Sequence, residues 1–219
     1  MYTIDFDSLD KYADLSISSS IKDHINDSTI IVCIGTDRCI ADCLGPLVGH
    51  ILKERNFPLL VLGCLDDPIH ALNLEAKLNN INILYKNRTI IGIDACLGET
   101  NDIGKIFVRN SPISPGRGIG RQLPHVGDIS ILGVVDNSHE TEPLSARNIR
   151  LGFIMNMAKT IARSIELAYK PNNILKIQNE WWNSFKISLT VFSVYNCTIV
   201  IHNYNFIIIV YRINKSIFI

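Results

Sequence analysis

The chain has 219 residues, of which 47% are hydrophobic and 19% are charged. This composition excludes a disordered chain, and the length fits one domain, with an appendage, that buries a core without disulfide or metal staples. The 21 Lys and Arg residues balance the 21 Asp and Glu residues, so the net charge is zero. A neutral chain has no bulk attraction for nucleic acid, and we predict no nucleic-acid partner.

Strand-like and helix-like segments alternate along the first three quarters of the chain. Thr29–Gly35 is a continuous apolar run that ends in glycine, which is typical of a strand buried on both faces. The predicted elements that follow are a helix at Leu44–Asn56, a strand at Leu59–Gly63, a helix at Ala71–Leu84, strands at Arg88–Asp94, Gly104–Arg109 and Ile129–Asp136, and a long helix at Ser145–Tyr169. This alternation predicts an α/β three-layer sandwich with a mainly parallel sheet.

The composition changes near residue 171. All 13 glycines lie at or before Gly152, and all 8 prolines lie at or before Pro171. Residues 172–219 contain 11 isoleucines and 8 asparagines. We therefore predict a functional domain over residues 1–171 and a compositionally distinct C-terminal extension, irregular or β-rich, over residues 172–219.

The extension carries no charged residue between Lys186 and Arg212. A membrane span is one interpretation, but a spanning helix needs about 20 mostly apolar residues and polar residues such as Asn196 and Asn203 interrupt this stretch. We favour two or three strands, or an out-of-frame extension from an AT-rich gene. A tail anchored in a membrane stays as an alternative.

Cysteine usage and the N-terminus bear on the compartment. The six cysteines include no Cys-x-x-Cys pair, so neither a zinc site nor a disulfide framework is predicted. The segment Met1–Asp7 is acidic and lacks the positive and apolar regions of a signal peptide. We predict a reducing, cytoplasmic location.

Two acidic residues follow strands that are expected to be neighbours. Asp42 lies in the loop after the first strand, and Asp94 ends the third. In an open parallel sheet ligands bind beyond the carboxyl ends of the strands, where the strand order reverses. Both carboxylates are therefore expected to face one crevice.

Such a pair supports more than one chemistry. Two close carboxylates cannot both ionise easily, so one can activate water while the other, protonated, polarises a carbonyl. The same pair could hold a divalent metal through its oxygens. Structural alternatives are that Asp42 caps the following helix and that Asp94 ends its strand by bonding nearby backbone amides.

Other candidate residues carry weaker signals. Gly116-Arg117-Gly118-Ile119-Gly120 resembles a phosphate loop, but no strand leads straight into it and no clear helix follows, so no dinucleotide site is predicted. His125 and His139 lie in loops that could face the crevice, although solvent exposure is the default for both. Arg38 and Arg117 could bind a substrate carboxylate or carbonyl, or could simply be solvated.

Several separated motifs, in order over about residues 30–165, resemble the YyaC-type spore protease family. They are Cys33–Arg38, Asp42–Gly49, Ile93–Gly98, Pro112–Gly116, Leu123–Pro124 and Val126–Ile129. That family is similar to the spore germination protease and to hydrogenase maturation endopeptidases. The resemblance implies an α/β sandwich of the phosphorylase/hydrolase type.

The resemblance also implies residue roles. The germination protease, an atypical aspartic peptidase, has its acids in Asp-x-Leu-Gly-Pro and Ile-Asp-Ala motifs, which Asp42–Pro46 and Ile93–Ala95 match here. Its Pro-Gly-x-Gly-x-Gly segment matches residues 115–120, which makes Gly116, Arg117, Gly118 and Gly120 candidates for substrate binding. Hydrogenase maturation peptidases add a histidine to bind nickel. No matching third ligand is found here, so neither a metal nor a cofactor is predicted.

The resulting hypothesis is a cytoplasmic endopeptidase of the forespore or spore core in which Asp42 and Asp94 share a proton. Its implied substrates are proteins or peptides, among them the small acid-soluble spore proteins. The alternative is a non-catalytic sporulation protein that binds a partner peptide in the same crevice.

Overall fold

The computed structural model describes residues 3–116, 123–171, 197–200 and 209–212. The chain divides into two compact units, Met1–Lys170 and Pro171–Ile219. The independent folding of residues 1–171 as one domain stays a prediction.

One six-stranded sheet organises the first unit. Its elements are β1 (Thr3–Asp7), α1 (Ala13–Ile21), β2 (Ile30–Cys33), α2 (Leu44–Glu54), β3 (Leu60–Leu62), α3 (Leu74–Leu84), β4 (Ile90–Gly98), β5 (Lys105–Arg109), β6 (Ile129–Asn137) and α4 (Leu151–Ala168). The strand order is β1-β5-β6-β4-β2-β3. The pairs among β6, β4, β2 and β3 are parallel, whereas β5 pairs antiparallel with both β1 and β6. The predicted α/β class and mainly parallel sheet are confirmed.

Two hydrophobic clusters cover the two faces of this sheet. Helices α1, α2 and α4 pack over the first face, where Ile31, Ile91 and Ile131 alternate inward. Helix α3 covers part of the second face through Leu74 and Leu78. The result is three layers, because the inward residues of each strand alternate between two apolar faces.

The strand order reverses between β2 and β4. From β2 the chain passes through α2 on the first face to β3 at the sheet edge, and then through α3 on the second face to β4 on the other side of β2. The carboxyl ends of β2 and β4 thus flank a topological switch point, which is the usual place for a ligand in this kind of sheet.

Close backbone contacts at this end depend on glycine. A Cβ at Gly45 would overlap the backbone of Ile34, and one at Gly49 would overlap the carbonyl oxygen of Gly63. Helix α2 therefore lies directly against the ends of β2 and β3, which no larger residue at these two positions would allow.

Several boundaries differ from the sequence expectations. Strand β4 continues to Gly98 instead of ending at Asp94, because β6 pairs with it beyond the end of β2. Helix α4 begins at Leu151 instead of Ser145, since a single 3-10 turn at Leu144–Ala146 and extended backbone at Arg147 precede it. Strand β1 and helix α1 were not predicted: β1 is a short, mostly exposed strand at the edge of the sheet.

In the second unit the described residues form two strands, β7 (Cys197–Val200) and β8 (Ile209–Arg212), which pair antiparallel. Residues 172–219 are therefore not one continuous helix. Within the described part of the chain no helix is long and apolar enough to cross a membrane.

We expect Gly49→Ala to lower the free energy of unfolding by about 2–3 kcal/mol, because the added methyl group meets the backbone of Gly63. Gly152→Ala, in the first turn of α4, is the matched control: its methyl group has open space and should stabilise the protein by about 0.5 kcal/mol. Urea unfolding of both variants measures the difference, and equal effects would contradict the close packing of α2.

Deleting residues 172–219 should leave a folded domain, because the core residues identified in the described part of the first unit lie between Phe6 and Tyr169. Thermal unfolding of the 1–171 chain should give a single cooperative transition close to that of the full chain. Loss of the transition would show that the extension is part of the fold.

Candidate active site

Asp42 is held in a loop that folds back on itself after β2. The N–H of Thr36 donates to the backbone oxygen of Asp42 (3.0 Å), and the N–H of Asp42 donates to the oxygen of Cys39 (3.0 Å). Gly35, at φ +137°, lets this backbone pass so close that a Cβ there would overlap the Asp42 oxygen. The loop thus fixes the Asp42 backbone just before α2.

The alternative that Asp42 caps α2 is wrong. The N-cap residue of the helix is Cys43, and no side chain makes a capping hydrogen bond there. Asp42 is instead the last residue of a 3-10 turn that begins at Ile40. Its half-buried carboxyl group is therefore not used by the helix end.

Asp94 lies within β4, one residue beyond the last position that pairs with β2. Its side chain is buried (9% exposed), and its Oδ1 accepts a hydrogen bond from the N–H of Ala95 (2.8 Å). The backbone bond that was considered as a structural alternative is therefore present. The strand does not end there, however, so the carboxyl group is held on a rigid element of the sheet.

The two carboxyl groups have different proton affinities. Burial raises the pKa of Asp42 to about 6, against the opposing effect of the Thr36 N–H. Burial raises the pKa of Asp94 well above its ordinary value, the negative charge of Asp42 raises it further, and the Ala95 N–H opposes both. The structure thus brings the two carboxyl groups close enough to interact, and the negative charge of Asp42 favours retention of the proton on Asp94.

The cysteines around this pair are not activated thiols. Burial and the nearby acidic groups raise the pKa of Cys43 to about 11. Burial also raises the pKa of Cys96 to about 12. Both thiols are protonated at neutral pH, so neither supplies a thiolate nucleophile.

The residues that flank the glycine-rich segment pack on the strand that carries Asp94. Ile113 and Val126 form an antiparallel bridge, and the Ile113 side chain and the Val126 oxygen close over Gly92, two residues before Asp94 on the same face of β4. Gly116 follows with φ +83°. Of the predicted substrate-binding residues, Arg117, Gly118 and Gly120 lie outside the described residues.

The two candidate histidines have partners on the surface. His125 Nδ1 is 3.0 Å from Ser114 Oγ, across the Ile113–Val126 bridge. His139 Nε2 is 3.1 Å from Glu99 Oε2, and both side chains are exposed. Arg38 is exposed in the loop that carries Asp42. No contact with either acid is seen for these three side chains within the described part of the chain.

A third ligand for a metal is not found among the residues that the structure describes. No three His, Cys, Asp or Glu side chains come together there in a group that could hold a metal ion. A cleft of about 540 Å³ between α1 and α4 is separate from the candidate active site. It lies over the opposite face of the sheet, and its charged groups include the ion pair between Arg55 and Glu166 (2.8 Å).

Sequence reasoning missed Arg147, which holds the loop that follows the carboxyl end of β6. The buried guanidinium of Arg147 donates to Asp136 Oδ2 (3.0 Å) and to the backbone oxygens of Asn137, Glu140 and Glu142. The loop after β6 is therefore held by one side chain. An arginine within a predicted helix gave no signal of this role.

We predict that stability falls between pH 4 and pH 7.5 more steeply in the wild type than in Asp42→Asn. Because its folded-state pKa is raised, Asp42 contributes stability below about pH 4 that is lost as the pH rises through about 6. The difference should reach about 3 kcal/mol. Asp94→Asn should flatten the profile in the same direction, with the effect extending to higher pH.

Urea unfolding across this pH range measures the effect, with Asp37→Asn as the control because Asp37 is an exposed carboxylate in the same loop. The control should follow the wild type. A wild-type profile parallel to those of Asp42→Asn and Asp94→Asn would mean that neither acid is perturbed by folding.

Comparison with known proteins gives the following matches. Residues 6–164 match the model of a family described as a protein of unknown function, DUF1256. A Bacillus subtilis (strain 168) relative described as uncharacterized protein YyaC is 41% identical over 152 residues, which cover 69% of this chain and 74% of the relative.

A solved structure, a [NiFe] hydrogenase maturation protease HycI from Thermococcus kodakarensis KOD1, is 19% identical with a TM-score of 0.41. That match covers 67% of this chain and 99% of the archaeal chain. The family model spans most of the present sequence, and the YyaC relative is similar over most of its own length. The chain therefore belongs to the DUF1256 family, as the YyaC-type motifs indicated.

Proposed function

We propose that the protein is an endopeptidase in which Asp42 and Asp94 hydrolyse a peptide bond without a metal or cofactor. One observation supports the proposal: two partly or fully buried carboxyl groups interact at the switch point of the sheet, burial raises both pKa values, and the charge of Asp42 raises that of Asp94 further. A carboxylate and a carboxylic acid at one site are the groups that acid–base hydrolysis needs.

The proposed reaction needs only these groups and water. The Asp42 carboxylate removes a proton from a water molecule as the water oxygen attacks the peptide carbonyl carbon. Asp94 donates its proton to the carbonyl oxygen, which gives a neutral gem-diol and leaves Asp94 ionised. On collapse, the C–N bond breaks, Asp42 gives its proton to the leaving nitrogen, and Asp94 regains a proton from the gem-diol hydroxyl.

The substrate is proposed to lie along the second face of the sheet. The Ile113–Val126 bridge lies there over Gly92, two residues before Asp94, which supports a substrate-binding role for the segment of Gly116, Arg117, Gly118 and Gly120. By resemblance to the spore germination protease, the substrates are proteins or peptides such as small acid-soluble spore proteins. The location is then the cytoplasm of the forespore or the spore core. A relative from a spore-forming bacterium is consistent with this.

One observation favours the second candidate, a non-catalytic protein that binds a partner peptide. Asp94 is only 9% exposed, so a substrate reaches its carboxyl group only if the surrounding crevice opens or the peptide enters deeply. A binding protein would use the same crevice without needing either acid to exchange protons.

We expect Asp42→Asn and Asp94→Asn each to lower peptidase activity by about 10²–10⁴-fold, because each removes one proton-transfer group. Asp37→Asn, with an exposed carboxylate in the same loop, is the matched control and should keep full activity. The assay is cleavage of small acid-soluble spore proteins by the full-length chain, with mass-spectrometric analysis of the products. The rate should rise as the pH passes about 6 and fall only where Asp94 ionises.

Wild-type activity in either Asn variant would exclude the two-acid mechanism. Tight peptide binding without cleavage, unchanged in both variants, would instead support the binding protein.

A further inference from the structure

We propose that Arg109 forms a carboxylate-binding subsite on the sheet face that carries Asp94, so that the protein prefers peptides with an acidic group close to the bond held at Asp94. This subsite rests on the proposed function, since it selects the substrate of the same crevice. The carboxylate comes from an acidic side chain of the peptide or from its C-terminus.

The alternation of β5 places Arg109 on that face. Ile106 and Val108 are fully buried in the cluster on the first face, whereas Phe107 packs with the cluster on the second. Arg109 has the same parity as Phe107. Gly92, Asp94 and Cys96 of β4 share this second face, because Gly92 is covered by Ile113 and Cys96 belongs to the second cluster.

The register fixes the spacing between the two groups. Asp94 is opposite Leu132 of β6, and Leu132 is opposite Phe107 of β5. The guanidinium of Arg109 lies over the Phe107 ring, 5.4 Å from its centroid, which directs it along β5 toward the level of Asp94. Strands β4 and β5 are two strand spacings apart, which is about 10 Å, or about three residues of an extended peptide.

Among the described residues, Arg109 has no ion-pair partner, and one of its N–H donors has no hydrogen-bond acceptor. Its Nε is buried without a hydrogen-bond partner among the described residues, and so is the Oγ of Ser130, the residue opposite it in the register. Lys105, the other cation on this face of β5, pairs with Asp102 at 2.7 Å. No ion pair of Arg109 occurs within the described ranges.

The charge of Arg109 extends toward the site. It lowers the pKa of the Cys96 thiol, against burial and the charges of Asp94 and Asp102, which raise it. Cys96 is two residues from Asp94 on the same face. A half-buried guanidinium with an unused donor beside an apolar ring recognises a planar carboxylate through paired N–H donors, which a lysine cannot reproduce.

A peptide-binding experiment separates this subsite from the catalytic proposal. The probes are fluorescein-labelled decapeptides of Ala, Leu and Ser with a single Glu moved along the chain, and a matched set with Gln, each with a free or an amidated C-terminus. Binding is measured by fluorescence anisotropy with the full-length chain, which carries Asp42→Asn to stop turnover. This variant is tested alone and in combination with Arg109→Gln, Arg109→Lys or Arg163→Gln. Arg163 lies on α4, over the opposite face, and is the matched control.

We expect at least one register of the Glu peptides, or the free-acid set, to bind about 10-fold or more tightly than its Gln or amidated partner. Arg109→Gln should abolish that preference, Arg109→Lys should reduce it, and Arg163→Gln should leave it unchanged. A preference that depends on the position of Glu indicates that the subsite binds a side-chain carboxylate. A preference that amidation removes indicates that it binds the C-terminal carboxylate. Arg109→Lys keeps the charge and tests the subsite should Arg109→Gln fail to fold.

Equal affinities for acidic and neutral peptides, no binding of any peptide, or a preference that survives Arg109→Gln would overturn the subsite. Its failure differs from failure of the peptidase proposal. An Arg109-dependent preference without cleavage by the wild type would support the subsite and contradict the peptidase proposal. Cleavage without a preference for acidic peptides would support the peptidase proposal and contradict the subsite.

Discussion

Burial of two carboxyl groups at one switch point is the constraint on which the rest of this site depends. A buried carboxylate is costly, and a second one beside it is costlier, so the pair keeps a proton at a pH where carboxyl groups are normally ionised. Asp42 and Asp94 show both effects, because burial raises each pKa and the charge of Asp42 acts on Asp94. The proposed chemistry gives this costly arrangement a use.

Close packing around the site holds the two acids in place. Gly35, Gly45 and Gly49 bring the Asp42 loop and α2 against the ends of β2 and β3, and Arg147 fixes the loop after β6. Asp94 is held by the sheet itself, since β6 still pairs with β4 after β2 has ended. The sheet thus holds Asp94 and backbone hydrogen bonds hold the loop of Asp42, which favours a fixed geometry for proton transfer.

The sequence predicted the sheet well where strands are buried on both faces, because β2, β4 and β6 are continuous apolar runs. It failed where pairing decides the outcome: Asp94 was expected to end its strand, but β6 extends β4 to Gly98. The capping interpretation of Asp42 failed because Asp42 ends a 3-10 turn and Cys43 is the N-cap residue of α2. Arg109 gave no signal, since an unpartnered guanidinium is a property of packing, and the catalytic roles of Asp42 and Asp94 stay a prediction.

The most direct test of the shared proton is a carbon-13 NMR titration of the aspartate carboxyl groups, assigned with Asp42→Asn and Asp94→Asn. Asp42 should titrate near pH 6, the pKa of Asp94 should lie well above the ordinary value of an aspartate, and it should fall in Asp42→Asn. Ordinary carboxyl titrations for both residues, or an Asp94 signal that Asp42→Asn does not change, would contradict the account.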